Sequence, residues 1–155
     1  MKKTKPYVPP AGIDLGEPLE FMRLLWAVDH ALQSRSKKMA ATLGVTSVQR
    51  IAIRIIGKKP GISAKELSET LCLDPSTLTG VLSRLEKAKL ILRKSDPTDA
   101  RKAVLTLTPA GKKIDAAKTG TIEATVRRLF ASIPSIKIGA AKEVLEALGV
   151  ALESD

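Results

Sequence analysis

The stretch Ser63–Lys89, SAKELSETLCLDPSTLTGVLSRLEKAK, decides the reading of this chain. Ser63-Ala-Lys-Glu66 is a capping box, in which a serine side chain and the glutamate three residues on satisfy each other's backbone N–H groups at a helix start. Ile62 and Leu67 hold the two positions of a hydrophobic staple, so a short helix is predicted over 64–71. Asp74-Pro75 then sets a good N-cap before a proline at the first helical position, opening a helix that runs to about Ala88 with Leu78, Leu82 and Leu85 turned inward. Only Cys72 and Leu73 lie between the helices. Two short helices on a tight turn, the second richer in Ser, Thr and Arg on its outer face, form the plan of a helix-turn-helix.

Downstream, Leu90-Ile-Leu-Arg93 and Ala103-Val-Leu-Thr-Leu-Thr108 read as strands, the second alternating Leu105 and Leu107 against Thr106 and Thr108. The polar linker Ser95–Lys102 is too long for a tight hairpin and reads as a wing. Thr108-Pro109 opens a further helix that extends to Phe130 despite Gly111 and Gly120, and Ile133-Pro134 separates it from a last helix over about 136–153. Upstream, Leu19, Met22, Leu25, Trp26 and Leu32 give an apolar stripe at helical spacing from Pro18 to about Leu43. Thr46-Ser-Val-Gln49 is another capping box, opening a helix with an apolar face of Val48, Ile51, Ala52 and Ile55 or Ile56 that stops before Gly57. Residues 1–16, with Pro6, Pro9, Pro10, Gly12 and Gly16, read as a flexible arm. The fold class is mainly α with a small two-stranded β wing.

Composition narrows the function. At 155 residues and 44% hydrophobic the chain buries one core, and with only 3% aromatics that core is aliphatic. The single Cys72 and single His30 supply neither a disulfide nor a Cys/His zinc site, so no metal or cofactor is expected. The N-terminus lacks the apolar run of a signal peptide and no stretch spans a bilayer, which makes the cytoplasm the expected location, with no membrane partner. There is no glycine-rich phosphate loop, nucleophile elbow or nucleophile–histidine pair, so no catalytic residues are assigned and an enzyme is not expected.

A formal charge of +10 points to a polyanion. No acidic residue falls between Asp29 and Glu66, whereas Arg35, Lys37, Lys38, Arg50, Arg54, Lys58, Lys59 and Lys65 do, and these form a one-sided positive surface if they share a face. Lys58, Lys59, Lys65 and Lys87 are the candidate phosphate contacts, which give affinity without sequence information. Base reading falls to the outer face of the helix that starts at Pro75, where Pro75, Ser76, Thr79, Gly80, Ser83 and Arg84 can approach base edges. Gly80 costs about 1 kcal/mol against alanine in a helix interior, a cost that close approach to DNA or to a neighbouring element compensates.

Leu78–Arg93, followed by Asp96-Pro-Thr-Asp-Ala-Arg-Lys-Ala-Val-Leu-Thr-Leu-Thr108-Pro-Ala-Gly, resembles the signature of the MarR family of bacterial transcription regulators. The likeness runs in element order from about Pro18 to the C-terminus. It implies a MarR-type unit over 17–155, with a winged helix-turn-helix at about 46–108 and dimerisation helices at about 18–43 and 109–153. It also implies a homodimer that binds double-stranded palindromic DNA as a ligand-responsive repressor. By that resemblance the helix opened by Pro75 is expected to enter the major groove and Asp99 to position Arg101 to reach a minor groove, with Lys102 adding wing charge. Two departures stand out: Ala100 where the family often has a second arginine, and Lys89 where it usually has glycine, so a non-Gly residue closes that helix.

Trp26 and His30, four apart on one helix face, are either a packed pair or a candidate pocket for a small aromatic or phenolic effector of the kind the family takes. Cys72 is either a small buried turn residue or a redox sensor. The rival to a sequence-specific regulator is a general architectural nucleic-acid-binding basic protein, which accounts for the charge but not for the wing or the recognition-helix pattern. Stacking aromatics for RNA are missing.

Overall fold

The computed structural model describes residues 13–95 and 103–154. Along them run α1 (Gly16–Leu43), α2 (Ser47–Lys58), β1 (Ile62–Ser63), α3 (Ala64–Leu71), α4 (Pro75–Lys87), β2 (Ile91–Ser95), β3 (Ala103–Leu107), α5 (Pro109–Ala116), α6 (Ile122–Phe130) and α7 (Ser135–Ser154). Both expected capping boxes form: the Gln49 N–H donates to Thr46 Oγ1 at 3.4 Å while the Thr46 N–H donates to Gln49 Oε1 at 2.9 Å. The Ser63–Glu66 box closes in the same reciprocal way. Asp74 stands at the N-cap of α4 with Pro75 at the first position, but its side chain makes no capping hydrogen bond.

The sheet has strand order β1-β3-β2, all pairs antiparallel, with Ile62 opposite Leu105 and Ile91 opposite Leu107. The two-residue β1 was not anticipated, because a pair of residues carries no alternation to detect. The core lies inside α2, α3, α4 and this sheet, where Ala52, Ile53, Ile56, Leu67, Leu78, Leu82, Leu85 and Leu105 are buried. The staple pair Ile62 and Leu67 belongs to it.

Three expectations need correction. The helix predicted to run unbroken from Pro109 to Phe130 is two helices: Gly120 takes a positive φ of 74° and Thr121 caps α6 by accepting from the Ala124 N–H at 3.2 Å. The apolar face of α2 is misassigned, because that helix has two: Ala52, Ile53 and Ile56 enter the core, whereas Val48 and Ile51 are exposed at 38% and 49%. Helix α2 also continues through Gly57 to Lys58. A β-carbon at Gly57 would meet Asp115 Oδ2 at 2.8 Å, so its absence lets α2 and α5 approach closely.

Outside this unit the helices are poorly covered by the chain itself. Only Met39 is buried on α1 and nothing is buried on α7. Leu19, Leu24, Val28, Leu129, Ile136 and Leu152 are among the large apolar side chains left exposed. Among the described residues no single helix is long and apolar enough to cross a membrane.

Candidate nucleic-acid interface

Helix α4 is held by one face. Leu78, Val81, Leu82 and Leu85 are buried, and at 100° per residue this turns Ser76, Gly80, Ser83, Arg84 and Lys87 to the opposite side. Pro75, Ser76, Thr79, Arg84 and Lys87 are exposed, and Gly80 and Ser83 are half-buried. The Thr79 hydroxyl donates to the Pro75 carbonyl at 2.7 Å, leaving its oxygen as an acceptor toward solvent. A β-carbon on Gly80 would meet nothing within 4 Å, so no neighbouring element of the fold requires glycine there.

The exit of α4 fixes the hairpin beside it. Lys89, standing where glycine is usual, adopts φ 55°, in the left-handed region that glycine takes without strain at a helix exit. The Lys89 N–H donates to the Glu86 carbonyl at 2.8 Å and the Leu90 N–H to the Leu85 carbonyl at 2.9 Å, which satisfies the end of the helix. Left-handed backbone at a non-glycine residue costs roughly 1–2 kcal/mol. Thr108 then ties strand to helix: its hydroxyl donates to the Lys89 carbonyl at 2.7 Å and accepts from the Gly111 N–H at 3.0 Å. A β-carbon on Gly111 would lie inside the Leu90 carbonyl oxygen, so α5 can pack here only as glycine. Asp99, Arg101 and Lys102 lie outside the described residues.

The basic surface is smaller than the sequence suggests. Arg50, counted among its cations, is 2% exposed and turned inward. Its guanidinium donates to the carbonyls of Ile114, Asp115 (3.2 Å) and Ala117 (2.9 Å), and meets Glu123 Oε1 at 2.6–2.7 Å. Periodicity placed Arg50 off the predicted apolar stripe, and no local signal announces that the end of α5 turns carbonyls toward it. Arg54, one turn on, pairs with Asp115 at 2.7 Å. Lys59 pairs with Glu66 at 2.6 Å, and this bond, with those from Ser63, draws the exposed Glu66 carboxyl down to about 2. Burial opposes the charge of Glu123, yet its own backbone N–H, Arg50 and Thr121 together hold its pKa below the ordinary value. Lys58, Lys65 and Lys87 are exposed, and Lys65 lies 3.9 Å from Glu69.

Cys72, expected to be a small buried turn residue, is exposed and closes α3 in the left-handed region at φ 49°. Trp26 is 65% exposed and His30 is exposed on α1. Neither lines the groove of about 800 Å³ that α1, α2 and α6 enclose. Val48, Ile51, Ile55, Ile122, Val126 and Phe130 make that groove apolar, with Arg50, Arg54, Lys58, Glu123 and Arg127 on its walls. The second apolar face of α2 is one of its sides.

A capped helix pair on a three-stranded sheet, with the second helix presenting a small polar face beside a hairpin, defines a winged helix-turn-helix protein. The sequence model of the MarR family matches residues 45–103, from two residues before α2 to the first residue of β3. Over that stretch the chain is similar to the MarR family. It is 26% identical over 126 residues to an HTH-type transcriptional repressor of Mycobacterium tuberculosis, covering 81% of this chain and 91% of that one. It is 29% identical over 114 residues to the homoprotocatechuate degradative operon repressor of Escherichia coli, covering 72% and 77%. The MepR–DNA complex of S. aureus superposes on it with a TM-score of 0.72 at 20% identity, covering 85% of this chain and 97% of that one, which is a likeness of fold.

Proposed function

We propose that this chain is a cytoplasmic, sequence-specific DNA-binding transcriptional regulator that acts as a homodimer on two-fold symmetric DNA, a repressor released by a small effector. The observation that carries the reading is the outer face of α4, where Ser76, Thr79, Gly80, Ser83 and Arg84 stand free of the core next to the β2–β3 hairpin. These residues read base edges, Lys58, Lys65 and Lys87 meet phosphates, and Arg101, positioned by Asp99 and accompanied by Lys102, reaches the minor groove. Lys59 is a weaker phosphate contact because Glu66 already holds it. The repressor names of the relatives support the sign of regulation.

The exposed apolar faces of α1, α6 and α7 are the dimer interface, since leaving Leu19, Leu24, Leu129 and Ile136 in water forgoes their burial. The effector, a small aromatic or phenolic acid, lodges in the apolar groove between α1, α2 and α6 rather than on Trp26 and His30 alone. Selection from a pool of random duplexes tests the reading: enrichment of a two-fold symmetric sequence is expected. A pool retained without enrichment would replace the regulator with a general architectural protein. Arg101→Ala should weaken binding to the selected duplex with the dimer intact, and unchanged affinity would remove the wing from the mechanism.

A further inference from the structure

The first turn of α2 is where the DNA-reading unit is joined to the rest of the chain. Two short connections lead out of that unit to the helices with uncovered apolar faces, 44–46 to α1 and 117–121 to α6. At the first, Gly44 closes α1 with its N–H on the Ala40 carbonyl at 3.0 Å, and the Ser47 N–H donates to Ser36 Oγ at 2.9 Å. A donor that has no partner within its own helix start is thereby given to α1.

At the second connection one side chain holds both ends. Arg50 donates to the carbonyls of Ile114, Asp115 and Ala117 on the α5 side of the break, and its Nε donates to Glu123 Oε1 on the α6 side at 2.7 Å. Between them the backbone turns through Gly120, at φ 74°, and the buried Thr121. A guanidinium suits this corner because its rigid fork of five N–H donors spans partners on both sides, whereas a lysine brings a single point charge. Arg54, one turn further along α2, grips only the α5 side, through the carbonyl and carboxylate of Asp115. Helix α5 is itself fixed to the exit of α4 through Thr108 and Gly111, so the α5 side of the corner belongs to the reading unit. Arg50 therefore spans a joint that Arg54 does not cross.

We propose that Arg50, through Glu123, is a positioning residue for DNA recognition: by fixing the α5–α6 corner it sets the separation of the two α4 helices in the dimer, and so the half-site spacing that the dimer accepts. The proposal rests on the reading of α1, α6 and α7 as the dimer interface. In such a dimer each α4 is held at its distance from the two-fold axis by its own chain. One base pair added between half-sites moves them about 3.4 Å apart and turns them by about 35° around the duplex axis. A tied corner rejects that displacement, and a corner freed of its tie follows it. Base reading by α4 within one half-site is untouched by the change.

Three duplexes test this: the selected duplex, and the same sequence with one base pair added to or removed from its centre. Each is titrated by fluorescence anisotropy with the unsubstituted chain, Glu123→Gln, Glu123→Asp and Arg54→Met. Glu123→Gln keeps the shape of the side chain and removes the charge that Arg50 holds. The unsubstituted protein should prefer the original spacing, and Glu123→Gln should reduce that preference by about 2- to 150-fold, the range for perturbations that share a partner. Glu123→Asp, which keeps the charge one carbon further from Arg50, should fall between the two. Arg54→Met should lower the melting temperature and leave the preference as it was. If Glu123→Gln loses stability but keeps the full preference, the pair is structural only and the proposal is overturned. If Arg54→Met flattens the preference as much as Glu123→Gln does, general loosening accounts for the effect and the assignment to Arg50 and Glu123 fails. An unsubstituted protein that binds all three duplexes alike also overturns the proposal, and if it sediments as a monomer the dimer reading fails with it.

Discussion

Replacing Arg50 by methionine keeps most of the aliphatic stem and removes the guanidinium, which isolates the polar role of the residue. The structure sets the size of the effect. The variant loses the pair with Glu123 and leaves the Ala117 carbonyl without its Arg50 donor, while Asp115 keeps the bond from Arg54 and Ile114 the one from the Ala117 N–H. Removing one partner of a buried ion pair costs about 3–5 kcal/mol, chiefly because the other groups stay desolvated. Glu123 is partly reached by solvent and recovers some hydration, which favours the lower end, about 3 kcal/mol. Against a total stability of roughly 5–15 kcal/mol this is large. At about 2–4 °C per kcal/mol for a chain of this size, the melting temperature should fall by about 6–12 °C in calorimetry at fixed protein concentration. Arg54→Met, which loses a half-exposed pair with the Asp115 carboxylate and a hydrogen bond to its carbonyl, should cost about 1–2 kcal/mol and serves as the internal comparison. Equal melting temperatures for Arg50→Met and the unsubstituted protein would refute the claim that α2 holds the end of α5.

Gly111→Ala should be among the most damaging single-methyl additions in the chain, destabilising by about 3 kcal/mol in chemical denaturation, because the new carbon has only the Leu90 backbone to displace. Gly80→Ala should do the opposite to stability, raising it by about 0.5–1 kcal/mol since nothing in the fold meets the added carbon, while weakening binding to the selected duplex; a variant that binds as well as the original would show that α4 does not approach DNA at this residue. Acid titration has a defined sign: Glu66 is drawn from its ordinary 4.5 to about 2 in the folded chain, so its contribution is fully present above pH 4.5 and is lost as the pH falls through about 2. Glu66→Gln should therefore flatten the loss of stability over that window, and an unchanged slope in urea melts at successive pH values would contradict the assignment.

Much of the fold is legible because its signals are local. Thr46–Gln49 and Ser63–Glu66 announce helix starts in four residues each, and α3 begins and ends where its box and the following Cys72 place it. The alternation of Leu105 and Leu107 places β3. What escapes the sequence depends on partners far along the chain. Glu123 is 73 residues from Arg50, and only the fold shows that this basic residue serves the interior. The split of α2 into two apolar faces is hidden because Val48 and Ile51 fit the same helical spacing as Ala52 and Ile56, and spacing does not say what each side meets. The groove follows from that second face and so was missed in favour of Trp26 and His30. The break before α6 had a visible signal in Gly120-Thr121, a left-handed residue followed by an N-cap, which the longer apolar pattern on either side overrode.

The central claim is sequence-specific DNA binding by α4 and the wing. It is tested most directly by fluorescence anisotropy with a duplex from the region upstream of the protein's own gene against a scrambled duplex of equal length, over a series of salt concentrations. The account predicts that the native duplex binds more tightly by about 10³-fold or more and keeps its advantage as salt rises, because base contacts add to the phosphate contacts that salt removes. Two duplexes that bind alike and release together with salt would contradict it, leaving only the sequence-independent attraction of a basic surface.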